Sequence, residues 1–312
     1  MSFLTLIYIS TCFRYFSHYD YNKLITAIII ASAVASAASL YTIYGMDSFP
    51  NTRLQNSVHD LHPILTAQYF GIALFAVAYQ LISKKLSPAV ILVLSFIAIT
   101  LLISIILTHS RGPMFSLIVT TIAVGLLTKQ FKATFFIILG FTAIALIYWQ
   151  IEPTLFSSLF DRGSSGRGLI YSVLIDRVGD NYLLGNGINS NDKFIFPGGF
   201  VAPHAHSVYM GAYVYGGFIG LGFLLLIIGY ALYLGFALYK KTNDWLPLAI
   251  MIFGTVAFVT DGQRLFRPSS PEWFVLLMPI CLIAANYYKL TQQENHSLVT
   301  NSSPVSHPSP VN

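Results

Sequence analysis

Charge is what this chain has least of. Lysine, arginine, aspartate and glutamate together make up 9% of its 312 residues, against roughly a quarter in soluble domains. That shortage excludes a soluble globular fold, and no nucleic-acid partner is expected. Cysteine is scarce too: Cys12 and Cys281 both sit in apolar stretches, so neither a disulfide framework nor a metal site is indicated. No small-residue cleavage site follows the first apolar stretch, which Arg14, His18, Asp20 and Lys23 interrupt, so no cleavable signal peptide is expected. The chain also has no complete Walker or dinucleotide fingerprint, no internal repeat and no charge at the centre of a span. The last two absences speak against a secondary transporter.

What the chain has is apolar length. Mean hydropathy is +0.67, and apolar runs of about 20 residues, each able to cross a hydrocarbon layer about 30 Å thick, fall at about 24–44, 64–82, 88–108, 112–128, 131–149, 217–239, 245–260 and 272–288. The expected fold is an all-α polytopic membrane helix bundle of about eight transmembrane helices. One transmembrane domain covers 1–290 with a single long loop at 150–205, and a disordered cytoplasmic tail rich in Ser, Pro, Asn and Gln covers 291–312. Residues 1–23 form an interrupted apolar stub, read as an interfacial helix or the remains of one more crossing.

Lys84 and Lys85, Lys129 and Lys132, and Lys240 and Lys241 occupy every second loop, which the positive-inside rule makes cytoplasmic. Arginines take the other face: Arg53, Arg111, Arg162, Arg167, Arg177, Arg264 and Arg267. Topology gives no reason for cations there. Guanidinium groups grip phosphate oxygens bidentately, so this face reads as a phosphate-ester site, with some arginines pairing outer carboxylates such as Asp60, Asp176 and Asp261.

Three stretches carry the chemistry. In His109-Ser110-Arg111-Gly112 a tight turn places an arginine at a helix N-terminus that Pro113 is expected to open, a combination that binds pyrophosphate. In the long loop, GRGLIYSVLIDRVGDN reads as a short amphipathic helix, and the following LLGNGINSNDKFIFPGGF as a loop whose glycines admit close approach of backbone to a ligand. Asp176 and Asp180 lack a metal-binding pattern, and His59, Asp60 and His62 read as ordinary loop polarity, so no metal or other cofactor is expected. Third, Pro203 is expected to open a helix with His204 and His206 in its first turn, where His206 stays neutral and serves as a base. Met210, Tyr213 and Gly217 would continue its face. The bland alternative for His206 is a histidine at headgroup depth.

The turn HSRGP, then GR-x-x-x-Y with a short helix and LLGNGI, then AHSVYMGAYVYGGFIGL occur in an order that resembles the O-antigen ligase and O-antigen polymerase superfamily, over about residues 50 to 285. The resemblance implies an inverting, metal-independent glycosyltransferase of the bacterial inner membrane, active on the periplasmic side. It would move a glycan from undecaprenyl pyrophosphate to an acceptor hydroxyl on lipid A-core or a growing polysaccharide. Arg111 matches the family's Ser-Arg-Gly turn and His206 its histidine. Arg167 and Arg264 join Arg111 at the pyrophosphate, and Tyr209 and Tyr213 are assigned to lipid or sugar packing. Two departures stand out: Ser207 replaces the family's usual Asn, and relatives commonly carry more spans ahead of Arg53. The rival readings are a transporter of lipid-linked glycan or another anion, and a non-catalytic subunit of a polysaccharide assembly complex.

Overall fold

A backbone with no water to bond must close its own hydrogen bonds, and these apolar runs do so as helices. The computed structural model describes residues 3–18, 21–45, 53–55, 62–151, 153, 167–187, 190, 194–195, 201–202, 205–262 and 272–301. Its helices are α1 (Phe3–His18), α2 (Tyr21–Gly45), α3 (Pro63–Ser83), α4 (Pro88–Leu107), α5 (Arg111–Thr128), α6 (Phe131–Ile151), α7 (Arg167–Val178), α8 (Val208–Thr242), α9 (Leu246–Thr260) and α10 (Met278–Asn301). Among the described residues six stretches are long and apolar enough to cross a membrane, and two shorter apolar helices, Ile137–Ile151 and Leu246–Thr260, stand at the other two expected spans. The chain is a multi-pass membrane protein with an all-helical bundle.

Local chemistry sets the helix ends. Pro63 and Pro88 open α3 and α4 behind His62 and Ser87, whose side chains accept from the amides of Ile64 and Val90. At the other side, α5 and α8 stop where Lys129 and Asn243 turn left-handed, each with φ 57°. Pro279 inside the last span cannot donate to the Val275 carbonyl; a π-helical turn, Trp273–Leu277, precedes it. Gly254 of α9 leaves room for that carbonyl, since a Cβ there would strike it.

The core runs through α3, α4, α9 and the start of the last span, with Phe70, Ile105, Phe253 and Leu276 fully enclosed. Helices α3 and α9 pack against each other through Gly71, whose α-carbon lies on the ring of Phe253.

Several expectations meet corrections. The N-terminal stub, for which an interfacial helix was one of two readings, is a helix, α1, and it packs on α10 around Phe16, Cys281 and Leu282. Helix α5 begins at Arg111, two residues ahead of Pro113. The glycine-rich loop contains an antiparallel strand pair, β1 (Phe194–Ile195) with β2 (Val201–Ala202). The expected disordered tail does not begin at 291: α10 continues to Asn301. Its Gln292, Gln293 and Glu294 are sound helix formers, and Lys241 Nζ donates to both Glu294 oxygens at 2.7 and 2.9 Å. Residues 302–312 lie outside the described residues.

Candidate functional site

Two tight turns meet at the arginine-bearing end of the bundle. The first links α4 to α5. A helix leaves its last carbonyls unpaired, and here Arg53 takes them: its Nε donates to the Thr108 carbonyl at 2.8 Å and its Nη2 to Ser110 Oγ at 3.0 Å. Leu54 N donates to the Leu107 carbonyl at 3.0 Å. Arg53, grouped by sequence with the phosphate-facing arginines, thus commits guanidinium donors to this turn. His109 adopts φ 49° within it, and its Nε2 shares a 2.7 Å buried hydrogen bond with the Tyr148 hydroxyl. Arg111 then heads α5. Next to it, Gly112 brings α5 so close to α9 that a Cβ would collide with the hydroxyl of Thr260.

The second turn precedes α8. His206 has φ 52°, a left-handed conformation uncommon for residues with a side chain and enriched at functional sites. The expected helix from Pro203 is not formed: α8 starts at Val208, because Ser207 is the N-cap. Its Oγ accepts from the Met210 amide at 3.4 Å and donates to the Phe258 carbonyl at 3.2 Å. Serine suits this position because its short side chain reaches an unpaired first-turn amide. His206 therefore stands one residue outside the helix, and the strip of Met210, Tyr213 and Gly217 does not continue its face. His204 and Pro203 lie outside the described residues.

Around His206 the polar contacts converge. The Tyr171 hydroxyl of α7 reaches the His206 carbonyl at 3.4 Å and the Val259 carbonyl at 3.2 Å. His206 Nδ1 lies 3.9 Å from Asp261 Oδ1, with the histidine side chain 27% exposed and the aspartate 10%. That separation is beyond hydrogen-bond range, so the coupling is electrostatic. His62 shares the neighbourhood: partial burial lowers its pKa, Asp261 opposes that, and the charges of Arg53 and His206 add to it. Asp261 and Tyr171 were not legible as site residues. Asp261 was one outer carboxylate among several, and Tyr171 was only the last residue of GR-x-x-x-Y. In sequence, His62 reads as loop polarity.

The remaining sequence candidates fall elsewhere. The Tyr209 hydroxyl donates to the Thr255 carbonyl at 2.8 Å, tying α8 to α9. Tyr213 packs with the α7 residues Ile170, Leu174 and Val178, its ring 5.0 Å from Phe218. Arg167 is the first residue of α7, and its side chain, like all of Arg264, lies outside the described residues. Among the described residues no three His, Cys, Asp or Glu side chains converge as a metal site.

One turn of chain, residues 182–187, fixes the height of this arrangement. Helix α8 is broken at Gly217, with φ 60° and ψ −160°. The freed carbonyls of Val214 and Tyr215 accept from Asn186 N and Gly187 N at 2.8 and 3.1 Å. The freed amides of Phe218 and Ile219 donate to the Tyr182 and Leu183 carbonyls at 2.8 and 3.2 Å. A Cβ at Gly217 would collide with the Leu183 carbonyl, and one at Gly185, itself at φ 68°, with the backbone of residues 215–217. Gly185 of LLGNG therefore admits the backbone of α8, where the sequence suggested a ligand.

Comparison with known proteins bears out the resemblance. Residues 96–225 match the family model described as O-antigen ligase, a range that includes both turns and the 182–187 loop. Over 267 residues the chain is 27% identical to an O-antigen ligase of Pseudomonas aeruginosa, a match covering 84% of this chain and 64% of that protein. No solved structure matches.

Proposed function

We propose that this relative of the O-antigen ligases transfers a glycan from an undecaprenyl-pyrophosphate-linked donor to an acceptor hydroxyl, on lipid A-core or a growing polysaccharide. The reaction would take place on the periplasmic side of a bacterial inner membrane. The observation that carries this reading is a partly exposed histidine, held left-handed 3.9 Å from a nearly buried aspartate, beside the turn that presents Arg111.

In the proposed reaction His206 takes the acceptor's proton as the new bond from oxygen to the anomeric carbon forms. The carbon–phosphate oxygen bond breaks on the opposite face, so the centre inverts. The departing electron pair ends on pyrophosphate oxygens, where fixed guanidinium groups offer the largest stabilisation. Arg111, Arg167 and Arg264 fill that role, which leaves no step that requires a metal. Asp261 stabilises the imidazolium as it forms, and Tyr171 holds the backbone that carries it.

The test uses purified protein with lipid-linked glycan, measuring donor binding and transfer on the same samples. His206→Ala should bind donor nearly as the parent does while transfer falls about 100-fold or more, the usual contribution of a positioned base. Arg111→Lys keeps the charge but loses the fork, and should weaken donor binding and transfer together. EDTA should leave the parent active. Parental transfer by His206→Ala would return that residue to the bland reading of an interfacial histidine, and loss of activity in EDTA restored by magnesium would overturn the metal-free route.

A further inference from the structure

Far from the two turns, at the lysine-bearing end of the bundle, α3, α4, α5 and α6 enclose an apolar cavity of about 370 Å³ that reaches Trp245. Leu74, Ala98, Gly125, Gly140 and Phe141 are among its walls. Its volume lies within the range of small-molecule pockets. Ile99 and Ile137 line it and are 50% and 36% exposed, so it is open at the side of these apolar helices, where lipid would lie. Water finds few partners inside: the hydroxyls of Thr121, Thr128 and Thr134 are spent on their own helical carbonyls. An unfilled apolar void forfeits dispersion contacts along its lining.

We infer that this cavity binds one acyl chain of an anionic glycerophospholipid from the leaflet on the lysine side. Depth argues for a single-leaflet chain. The walls run from Leu74 to Ile82 on α3 and from Leu117 to Thr128 on α5, about 12 to 16 Å at helical rise, half of a hydrocarbon layer about 30 Å thick. Charge argues for an anionic headgroup. Lys84 and Lys85 follow α3, Lys129 caps α5, and all three are exposed at the Trp245 end. Among the described carboxylates at this end, Asp244 accepts from the Leu246 amide and Glu294 is held by Lys241. Trp245 closes the floor, its Nε1 donating to Ser83 Oγ at 3.1 Å. This proposal is independent of the glycan-transfer reading.

The experiment follows Trp245 fluorescence in the full chain, in lipid nanodiscs. Trp149→Phe and Trp273→Phe leave Trp245 as the one indole of the three. Phosphatidylglycerol with brominated acyl chains should half-quench it at about a tenfold lower fraction than brominated phosphatidylcholine, since each basic residue near a membrane surface adds to the attraction. Gly140 has open space where a Cβ would stand, so Gly140→Leu should fill the cavity and reduce quenching to the same low level for both lipids. Replacing Lys84, Lys85 and Lys129 by Gln should erase the headgroup preference but keep the quenching. A thermal melt checks folding, with Ala98→Phe as the second filling variant should Gly140→Leu not fold. Equal quenching by the two lipids in the parent, or quenching that the filling variants leave unchanged, overturns the proposal. Displacement of the brominated lipid by a polyprenyl phosphate also overturns it, and would assign the cavity to a long isoprenoid chain.

Discussion

His109 and His206 are the same residue in nearly the same backbone state, φ 49° and 52°, each on a turn beside a helix start at the same end of the molecule. Their surroundings separate them. His109 is 5% exposed and bonded to Tyr148, so its ring closes a gap between α4 and α6. His206 is partly open and faces a carboxylate. The contrast teaches that a left-handed histidine can serve packing alone, so backbone strain by itself does not mark a site. What distinguishes the two is that one ring is buried against a tyrosine while the other is partly exposed beside an aspartate.

The sharpest way to break the comparison is to replace each histidine by glycine, which accepts positive φ freely. Left-handed backbone costs roughly 1–2 kcal/mol for a residue with a side chain, so His206→Gly should melt at or above the parental temperature while transfer drops about 100-fold or more. His109→Gly should do the reverse, melting lower because Tyr148 loses its buried partner, at about 1–3 kcal/mol, with transfer little changed. Equal melting shifts in the two variants would erase the distinction.

Asp261→Asn removes the carboxylate charge and keeps the shape. With charges about 4 Å apart at the protein–water boundary worth a few kcal/mol at most, kcat should fall about tenfold with donor binding unchanged. An unaltered kcat would detach Asp261 from the chemistry.

The smallest effect concerns pH. Partial burial, with Arg53 and His206 against Asp261, holds the pKa of His62 below the usual histidine value. The folded state therefore binds fewer protons than the unfolded state around that value. His62 contributes stability above the unfolded pKa, and that contribution is lost as pH falls through the depressed one. The Tm of His62→Gln should accordingly depend less on pH between about 7 and 5 than the parent's. Identical pH profiles would place His62 outside the cluster.

Much of this molecule could be read from its residues. The spans were legible because lipid forces apolar length and helical closure, and the helical bundle followed. Arg111 and His206 drew notice in the sequence because a cation-bearing tight turn and a histidine before an apolar helix are local signals, and the structure sets both on turns beside helix starts. Asp261 was not, since its meeting with His206 depends on how α8 and α9 pack across 55 residues of chain. Nor was the start of α8: proline at 203 pointed to an opening that Ser207 makes instead. Gly185 of LLGNG signalled close approach, but its partner, the backbone of α8, could not be read from the sequence.

The seam between residues 182–187 and the break in α8 works as a depth gauge. Its bonds join main chain to main chain, so side chains there are free to serve elsewhere, and Leu183 and Leu184 are 53% and 71% exposed. Two exposed leucines on one side, and a helix bonded main chain to main chain on the other, fix where α8 breaks relative to this loop. Above the break, residues 208–216 add about 14 Å of helix before the His206 turn. In the proposed reaction, that rigid spacing would hold the base at a set distance from the break, as a donor whose reactive bond sits a set distance above its own lipid tail requires.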